Sequence, residues 1–332
     1  MMNFCTLFDS YYIHKGIALY LSLEKVTNDF HLYVMAFDLA SYSKLRECNF
    51  DKMTIELLDD FETPELLAVK HTRTKAEYCW TAGPSVIWHF MNKYNLPDIT
   101  YLDSDLYFVS DPVIAFKELG DASVGITEQG ISEKKAKLYG RYCVQYMFFR
   151  NDENGRAALS WWRDSCIEWC FQRFEGDKYG DQKYLDKFPV LFKNVHVFAN
   201  LGLGIATWNK DKYVLGQKTI QYQDKVFQIV FFHMHAIKAY VEQQTLVLDA
   251  YISRLRQEDI EYMFKPYAEY LRVGFEKYLG KTISGFEYRQ MSKTKEFEYK
   301  IRGLVRNNPF VQWLYFKLLK KTYKGHGNSS IS

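Results

Sequence analysis

Residues 99–112 read ITYLDSDLYFVSDP, and this stretch decides how the rest of the chain is interpreted. A short apolar strand runs directly into Asp103, and Asp105 follows two positions later. Because side chains alternate along a strand with a period of two, the two carboxylates lie on one side if the strand persists. Ligands of open α/β sheets bind beyond the carboxyl ends of the strands, where this pair lies. Two carboxylates at that place favour Mg²⁺ or Mn²⁺, which prefer oxygen ligands.

The sequence before this stretch alternates strands with helices. Short apolar runs predict strands at residues 3–8, 30–37, 53–57 and 99–102. Segments with helical spacing lie between them at residues 15–26, 40–48 and 75–94. This alternation is typical of α/β folds built on a mainly parallel sheet.

The C-terminal part of the chain differs from the rest in charge. Residues 262–332 contain 14 Lys and Arg against 5 Asp and Glu, whereas the remainder is net acidic. We predict a catalytic domain at residues 1–245 and a basic, helical C-terminal region at residues 246–332. Within that region, residues 309–324 place lysines on one helical face and apolar side chains on the other, which is typical of a helix lying on an anionic membrane. The alternative is a helix that docks on the catalytic domain with its lysines in solvent.

Global composition restricts the class of protein. Apolar residues make up 48% and charged residues 25%, which excludes a disordered, collagen-like or simple coiled-coil chain. The sequence has no uninterrupted apolar run of membrane-spanning length, and no recognisable nucleic-acid-binding fold. Its six cysteines form no C-x-x-C motif and no signal peptide is evident, so we expect reduced thiols in the cytoplasm. The aromatic share of 17% suggests surfaces that stack on rings as well as a core.

Four further motifs surround the Asp-x-Asp pair in a fixed order. They are TLFDSY at residues 6–11, KAEYCWT at 75–81, YGDQ at 179–182 and FFHMHAIK at 231–238. Together with Asp103 and Asp105, they resemble glycosyltransferase family 8 over roughly residues 2–240, as a distant relative of bacterial type. The chain departs from that family at residues 144–147, where VQYM replaces Asn-Ser/Ala-Gly, and at Ala236, where the family has glycine.

The resemblance implies the GT-A fold, a Rossmann-like mixed sheet flanked by helices, here with a helical C-terminal extension. It also implies a metal-dependent transfer of a sugar from a nucleotide-diphosphate donor, most simply UDP-linked. Mn²⁺ or Mg²⁺ would be bound by Asp103, Asp105 and His233, with His235 as the alternative to His233. Asp103 would also contact the ribose, and Lys238 would add a positive charge to the diphosphate.

The same resemblance assigns roles at the two ends of the donor. Asp181 would hydrogen-bond hydroxyl groups of the donor sugar. Gln182 would lie near the anomeric carbon, as a weak nucleophile or as a dipole that stabilises an oxocarbenium-like state. Tyr11 would stack on the uracil ring, and Asp9 or Thr6 would bind its edge.

The expected acceptor is a glycan or a lipid-linked precursor in bacterial surface polysaccharide assembly, such as lipopolysaccharide, with retention of the anomeric configuration. The transfer reaction would take place at the inner face of the cytoplasmic membrane, with the enzyme bound peripherally. A haloacid-dehalogenase-type phosphatase and a sugar nucleotidyltransferase are the alternatives, because both can use an Asp-x-Asp metal site. The first favours Thr or Val where this chain has Tyr107, and the second needs a Gly-rich basic loop after the first strand, which residues 8–12 lack.

Overall fold

The computed structural model describes residues 1–250 and 255–290. Its sixteen strands are β1 Met2–Phe8, β2 Phe30–Ala36, β3 Met53–Leu57, β4 Asp98–Leu102, β5 Leu106–Phe108, β6 Val124–Glu128, β7 Tyr142–Arg150, β8 Val195–Val197, β9 Ile205–Ala206, β10 Val214–Leu215, β11 Thr219–Tyr222, β12 Lys225–Gln228, β13 Phe231–His233, β14 Ile237–Glu242, β15 Thr245–Ala250 and β16 Gly285–Gln290. Its α-helices are α1 Ile13–Val26, α2 Leu39–Cys48, α3 Pro64–Lys70, α4 Lys75–Lys93, α5 Val113–Leu119, α6 Glu133–Tyr139, α7 Glu153–Glu168, α8 Phe188–Leu191, α9 Gln257–Asp259 and α10 Lys265–Val273. Short 3₁₀ turns lie at Leu58–Asp60, Gln182–Lys187, Leu201–Leu203 and Lys210–Lys212, and π-helical turns at Ile260–Phe264 and Gly274–Tyr278.

The central sheet has seven strands in the order β3-β2-β1-β4-β7-β6-β8. Strands β1 to β4 run parallel to one another, and β7 runs antiparallel to both β4 and β6. The predicted mixed α/β architecture is therefore confirmed. From β1 the chain builds outward through β2 and β3, then returns to add β4 on the other side of β1. This reversal puts the carboxyl ends of β1 and β4 side by side, the position where open α/β sheets bind ligands.

Strand β1 lies in the centre of the core, with both of its faces buried. Phe4 and Phe8 pack into one hydrophobic cluster together with α1, whereas Cys5 and Leu7 pack into another together with α4 and α7. This division follows the period of two along a strand. Because both faces are covered by helices, β1 reads as a continuous apolar run in the sequence.

A second, smaller sheet carries the late histidine motif to the centre of the molecule. Strand β13 lies between β5 and β9, and His233 is directly opposite Leu106 in the antiparallel register with β5. Leu106 follows Asp105 in the chain. The pairing of β5 with β13 therefore brings two motifs that are more than a hundred residues apart to one place.

The C-terminal region contains strands where the sequence predicted only helices. Strand β15 pairs with β14 on one side and with β16 on the other, so the sheet crosses the predicted boundary at residue 245. Helical turns occupy residues 257–278. The prediction that the chain is helical from residue 246 onward is thus wrong for β15 and β16. These strands pair with distant parts of the chain, and their own sequences show no clear strand period. The predicted membrane helix at 309–324 lies outside the described residues.

A buried ion pair fastens the C-terminal segment to the body of the chain. Lys210 and Asp259 are both fully buried, and the ammonium Nζ lies 2.7 Å from the carboxylate Oδ2. Arg256 contacts the second oxygen of the same carboxylate at 2.8 Å. Burial by itself raises the pKa of Asp259, but the hydrogen bonds from Arg256 and Lys210 outweigh it, so the pKa lies below its ordinary value.

The helical segment after this ion pair covers helix α1. The ring of His14 stacks on Phe275 with centroids 5.2 Å apart. Gly274 approaches Ile17 so closely that a Cβ at residue 274 would lie 3.3 Å from Ile17 Cγ2. Residues 274–275 therefore shield the first turns of α1 from solvent.

Candidate active site

The Asp-x-Asp pair lies in the turn between β4 and β5. The backbone N–H of Asp103 donates to the carbonyl of Gln145 in β7 at 3.0 Å, which fixes the start of the turn. The backbone carbonyl of Asp105 accepts from Met234 N–H at 2.9 Å, which fixes its end against the residue after β13. Both carboxylates are thereby held by neighbouring strands. The predicted position beyond the end of a sheet strand is what the structure shows.

Asp105 and the two histidines of the late motif form a compact group of possible metal ligands. His233 Nε2 lies 3.0 Å from Asp105 Oδ1 and 3.5 Å from Asp103 Oδ2. One ligand atom from each of Asp105, His233 and His235 lies within 4.8 Å of the other two. Asp103 is adjacent to this group without belonging to it. Both candidate histidines thus face the same carboxylate, and the geometry alone does not choose between them.

The electrostatics of the group follow from its burial. Burial lowers the pKa of His233, but the charge and hydrogen bond of Asp105 overcome this and raise the pKa to about 10. Burial raises the pKa of Asp105, but Lys15 and then His233 hold it well below its usual range. Burial raises the pKa of Asp103 to about 6, with His233 opposing and Asp105 adding to the rise. Asp105 is therefore the firmly ionised carboxylate of the pair.

Gln145 contacts the candidate site and was not predicted from the sequence. Its Oε1 lies 2.7 Å from His233 Nδ1, and its Nε2 donates to Thr127 Oγ1 at 3.1 Å. Because an amide oxygen only accepts hydrogen bonds, Nδ1 must carry the proton. Because the pKa of His233 lies at about 10, Nε2 is protonated as well and donates to Asp105; loss of this proton would leave the Nε2 lone pair directed at the aspartates. The signal in the sequence is a lone polar side chain inside the apolar run of β7, at the place where the chain departs from family 8.

Lys15 is the second residue that sequence reasoning missed. It lies in the first turn of α1, is only 4% exposed, and its Nζ is 3.4 Å from Asp105 Oδ2. A lysine in a helix is normally exposed to solvent, so the sequence pattern did not predict that Lys15 is buried. Each carboxylate oxygen of Asp105 therefore contacts a nitrogen atom: Oδ1 contacts His233 and Oδ2 contacts Lys15.

A cavity of about 730 Å³ opens beside the metal group. It brings together five of the predicted site residues or alternatives: Asp103, Asp181, Gln182, His233 and His235. Its wall is rich in rings, namely Trp80, Tyr101, Tyr139, Trp162, Tyr179 and Trp208. These rings supply the stacking surface that the aromatic composition suggested. A cavity of this size fits a nucleotide-sized or disaccharide-sized ligand.

The Asp-Gln motif stands at the start of a 3₁₀ turn, and the preceding Gly180 lies close to the Trp80 ring of α4. Trp162 Nε1 donates to the carbonyl of Asp181 at 2.9 Å, and Gln182 Nε2 donates to the carbonyl of Tyr139 at 3.2 Å. Burial, and then the charge of Asp103, raise the pKa of Asp181 to about 7. Asp103 is therefore close enough to Asp181 to influence its ionisation.

Five predicted residues lie outside the lining of this cavity: Asp105, which contacts the lining residue His233, and four others. Thr6 is fully buried in β1, and its Oγ1 has no hydrogen-bond partner among the described residues. Asp9 Oδ1 accepts from the backbone N–H of Tyr11 at 3.0 Å, which shapes the turn into α1. The Tyr11 side chain is 64% exposed. Lys238 is exposed on β14, opposite Asp249.

Comparison with known proteins gives two sequence relatives and many structural neighbours. The chain is 33% identical to the uncharacterized protein YfnD of Bacillus subtilis (strain 168) over 248 residues, which are 73% of this chain and 80% of YfnD. It is 31% identical to YfnF of the same organism over 231 residues, which are 67% of this chain and 75% of YfnF. No family model matches. Among the described residues, no helix is both long and apolar enough to cross a membrane.

One of many structural neighbours is the galactosyltransferase LgtC, solved in complex with donor and acceptor sugar analogs. It aligns with a TM-score of 0.51 at 13% identity and covers 81% of this chain and 95% of LgtC. At this identity the match bears on the fold, which confirms the GT-A prediction, while membership of glycosyltransferase family 8 stays a prediction. The chain therefore belongs to the same family as YfnD and YfnF, and it has the fold of the GT-A glycosyltransferases.

Proposed function

We propose that this protein is a metal-dependent glycosyltransferase that moves a sugar from a UDP-linked donor to a glycan or lipid-linked acceptor. One observation carries the proposal: the group of Asp105, His233 and His235 borders a ring-lined cavity that also holds Asp181 and Gln182. The GT-A fold puts this combination at the reversal point of the sheet, where α/β folds bind ligands. The Asp-x-Asp pair follows β4, whereas a haloacid-dehalogenase phosphatase carries it near its N-terminus.

The residues present fit a divalent cation. A carboxylate and two imidazoles offer one oxygen and two nitrogen ligands within 4.8 Å of one another. This donor set suits Mn²⁺ better than Mg²⁺, which prefers oxygen alone. Asp103, at 3.5 Å from His233, is positioned to join as a further ligand or to hold the ribose. When bound, the cation would neutralise charge on the diphosphate leaving group, as a Lewis acid.

The sugar would lie toward Asp181 and Gln182. In the reaction the bond between the anomeric carbon and the diphosphate oxygen breaks, and the acceptor hydroxyl oxygen bonds to that carbon with loss of its proton. Asp181, half-buried in the wall of the cavity, would hydrogen-bond sugar hydroxyls. The Gln182 amide would stabilise positive charge that develops at the anomeric carbon, in keeping with a retaining reaction.

The nucleotide would lie toward the carboxyl end of β1. Tyr11 has a largely exposed ring that can stack on a base. Thr6, whose hydroxyl has no hydrogen-bond partner among the described residues, and Asp9 lie at the end of β1, the strand next to the one that Asp103 follows. Lys238 would contribute charge to the diphosphate after a movement of the chain around β14. These four assignments rest on the family resemblance and on proximity to the sheet edge.

The acceptor would be presented at a membrane. The basic C-terminal charge and the amphipathic pattern of residues 309–324 support a peripheral position at the inner face of the cytoplasmic membrane, where lipid-linked precursors of surface polysaccharides are accessible. Binding of the full chain to vesicles with anionic lipid, and loss of binding on deletion of residues 309–332, would support this location.

The activity can be tested with the purified full chain. Incubation with Mn²⁺ and a panel of UDP-sugars should release UDP from at least one donor, by slow hydrolysis or by transfer to an added glycan. Asp105→Asn should abolish the release because it removes the ionised ligand that both histidines face. UDP release measured by a coupled assay is the readout.

The matched control is Asp164→Asn. Asp164 lies on α7, its side chain is 62% exposed, and it pairs only with the neighbouring Arg163 among the described residues. This variant should retain full activity. Unchanged activity of Asp105→Asn, or no binding and no turnover of any nucleotide sugar by the folded wild-type chain, would overturn the proposal.

A further inference from the structure

Lys15 is a buried cation at the proposed metal site. Its side chain is 5% exposed, and the ammonium Nζ lies 3.4 Å from Asp105 Oδ2 and 4.6 Å from the centroid of the Tyr12 ring. Removing an ammonium group from water costs several kcal/mol unless a partner of opposite charge compensates. Asp105 is that partner, and the Tyr12 ring adds a weaker cation–π contact.

The burial of Lys15 is built into the fold. Tyr267 of α10 is fully buried; burial raises the pKa of its phenol, and the nearby Asp105 carboxylate adds to the rise. Gly274 and Phe275 cover the neighbouring residues of α1. The C-terminal segment thus covers this part of α1, and Lys15 contacts Asp105 instead of solvent.

The two oxygens of Asp105 are used differently. Oδ1 faces His233 Nε2 at 3.0 Å, on the side of the ligand group, while Oδ2 faces Lys15 at 3.4 Å. A divalent cation bound by Asp105 would therefore share this carboxylate with a permanent positive charge. Two cations on one carboxylate repel each other, whereas both attract a diphosphate.

We propose that Lys15 is a second, fixed cation of the site that competes with the divalent metal for Asp105 and contributes positive charge toward the donor diphosphate. This inference rests on the proposed function for the identity of the diphosphate. Its signature is a pair of opposite effects. A neutral residue at position 15 should strengthen binding of the free metal and weaken binding of the nucleotide.

The test measures binding, so it does not depend on turnover. Lys15→Gln and Lys15→Met both remove the charge, and methionine preserves the unbranched apolar stem in its buried position. Isothermal titration with Mn²⁺ alone should show affinity raised about tenfold over wild type, and titration with UDP in the absence of metal should show affinity lowered about tenfold, within the usual range of coupling between charged sites. Lys15→Arg retains the charge and should stay within a few-fold of wild type in both titrations.

The possible results separate the hypotheses. Weaker binding of both ligands by folded Lys15→Gln and Lys15→Met would show a purely structural residue, and unchanged binding of both would show a residue without influence; either result overturns the inference. If wild type binds Mn²⁺ but neither UDP nor a UDP-sugar, the proposed function fails, while the Mn²⁺ titrations still decide whether Lys15 competes for Asp105. Thermal melting of each variant confirms that it is folded.

Discussion

Replacing Gln145 with leucine tests how the site orients His233. The amide oxygen of Gln145 accepts the Nδ1–H of His233 at 2.7 Å, and the glutamine side chain is fully buried. Leucine has a similar volume and no acceptor, so the substitution leaves the imidazole N–H buried without a partner. The ring then loses the contact that fixes its tautomer and directs Nε2 toward Asp105.

The substitution should lower both stability and metal affinity. A buried donor left without an acceptor costs about 1–3 kcal/mol, and this cost falls on the stability of the metal-free and metal-bound protein alike. Loss of the hydrogen-bond partner of a metal-binding histidine typically lowers metal affinity about 10- to 100-fold, which corresponds to roughly 1.4–2.7 kcal/mol. We therefore expect Gln145→Leu to weaken Mn²⁺ binding by at least about tenfold.

The purified full chain is titrated with Mn²⁺, and binding is measured by calorimetry or from the spin-resonance signal of the free ion. Gln145→Glu is the matched control, because its carboxylate still accepts from Nδ1 and makes the imidazole a stronger ligand. We expect it to bind Mn²⁺ at least as tightly as wild type. The reasoning would be refuted by a folded Gln145→Leu protein whose Mn²⁺ affinity stays within about threefold of wild type, since the expected loss is at least tenfold.

Three further outcomes can be measured by urea unfolding. Asp259→Ala should lower the free energy of unfolding by about 3 kcal/mol, because the buried Lys210 loses its buried carboxylate partner and keeps the more exposed Asp211; an effect below about 1 kcal/mol would contradict this. The pKa of Asp259 lies below its ordinary value in the folded chain. Its contribution to stability should therefore be complete above the unfolded pKa of about 4 and be lost as the pH falls below that value. The alanine variant should lack this part of the acid dependence of stability. Gly155→Ala should destabilise the chain because its Cβ would lie 2.1 Å from the carbonyl oxygen of Arg150, whereas Gly83→Ala, whose nearest neighbour is 3.8 Å away, should stabilise helix α4 by up to about 1 kcal/mol; equal effects at the two glycines would show that helix propensity alone decides.

The parts of the fold that sequence reasoning predicted are those with local signals. Strand β1 and strand β4 are apolar runs that end at an aspartate, and α1 and α4 carry helical spacing over more than a dozen residues. Helix α4 also has a capping box in Thr74 and Glu77, which marks its start. Period, run length and caps are properties of neighbouring residues, so they can be read without knowledge of the tertiary structure.

The parts that sequence reasoning missed depend on pairing across the chain. Strands β15 and β16 lie where helices were expected, and they are separated by the helical turns of residues 257–278. Their parallel pairing is settled by the surfaces that they bury together with β14 and α10. A six-residue apolar segment is compatible with either a strand or part of a helix, so its own composition could not decide.

The sequence by itself determined the chemistry that is available: an Asp-x-Asp pair after a strand, a late histidine motif, an Asp-Gln motif and an aromatic-rich composition. Only the tertiary structure decided which of these groups meet. The pairing of β5 with β13 brings His233 to Asp105, and the packing of the C-terminal segment on α1 buries Lys15 against the same carboxylate. Contacts such as these join residues 90 to 130 positions apart. They arise from the global minimum of packing and charge compensation, which no local pattern encodes.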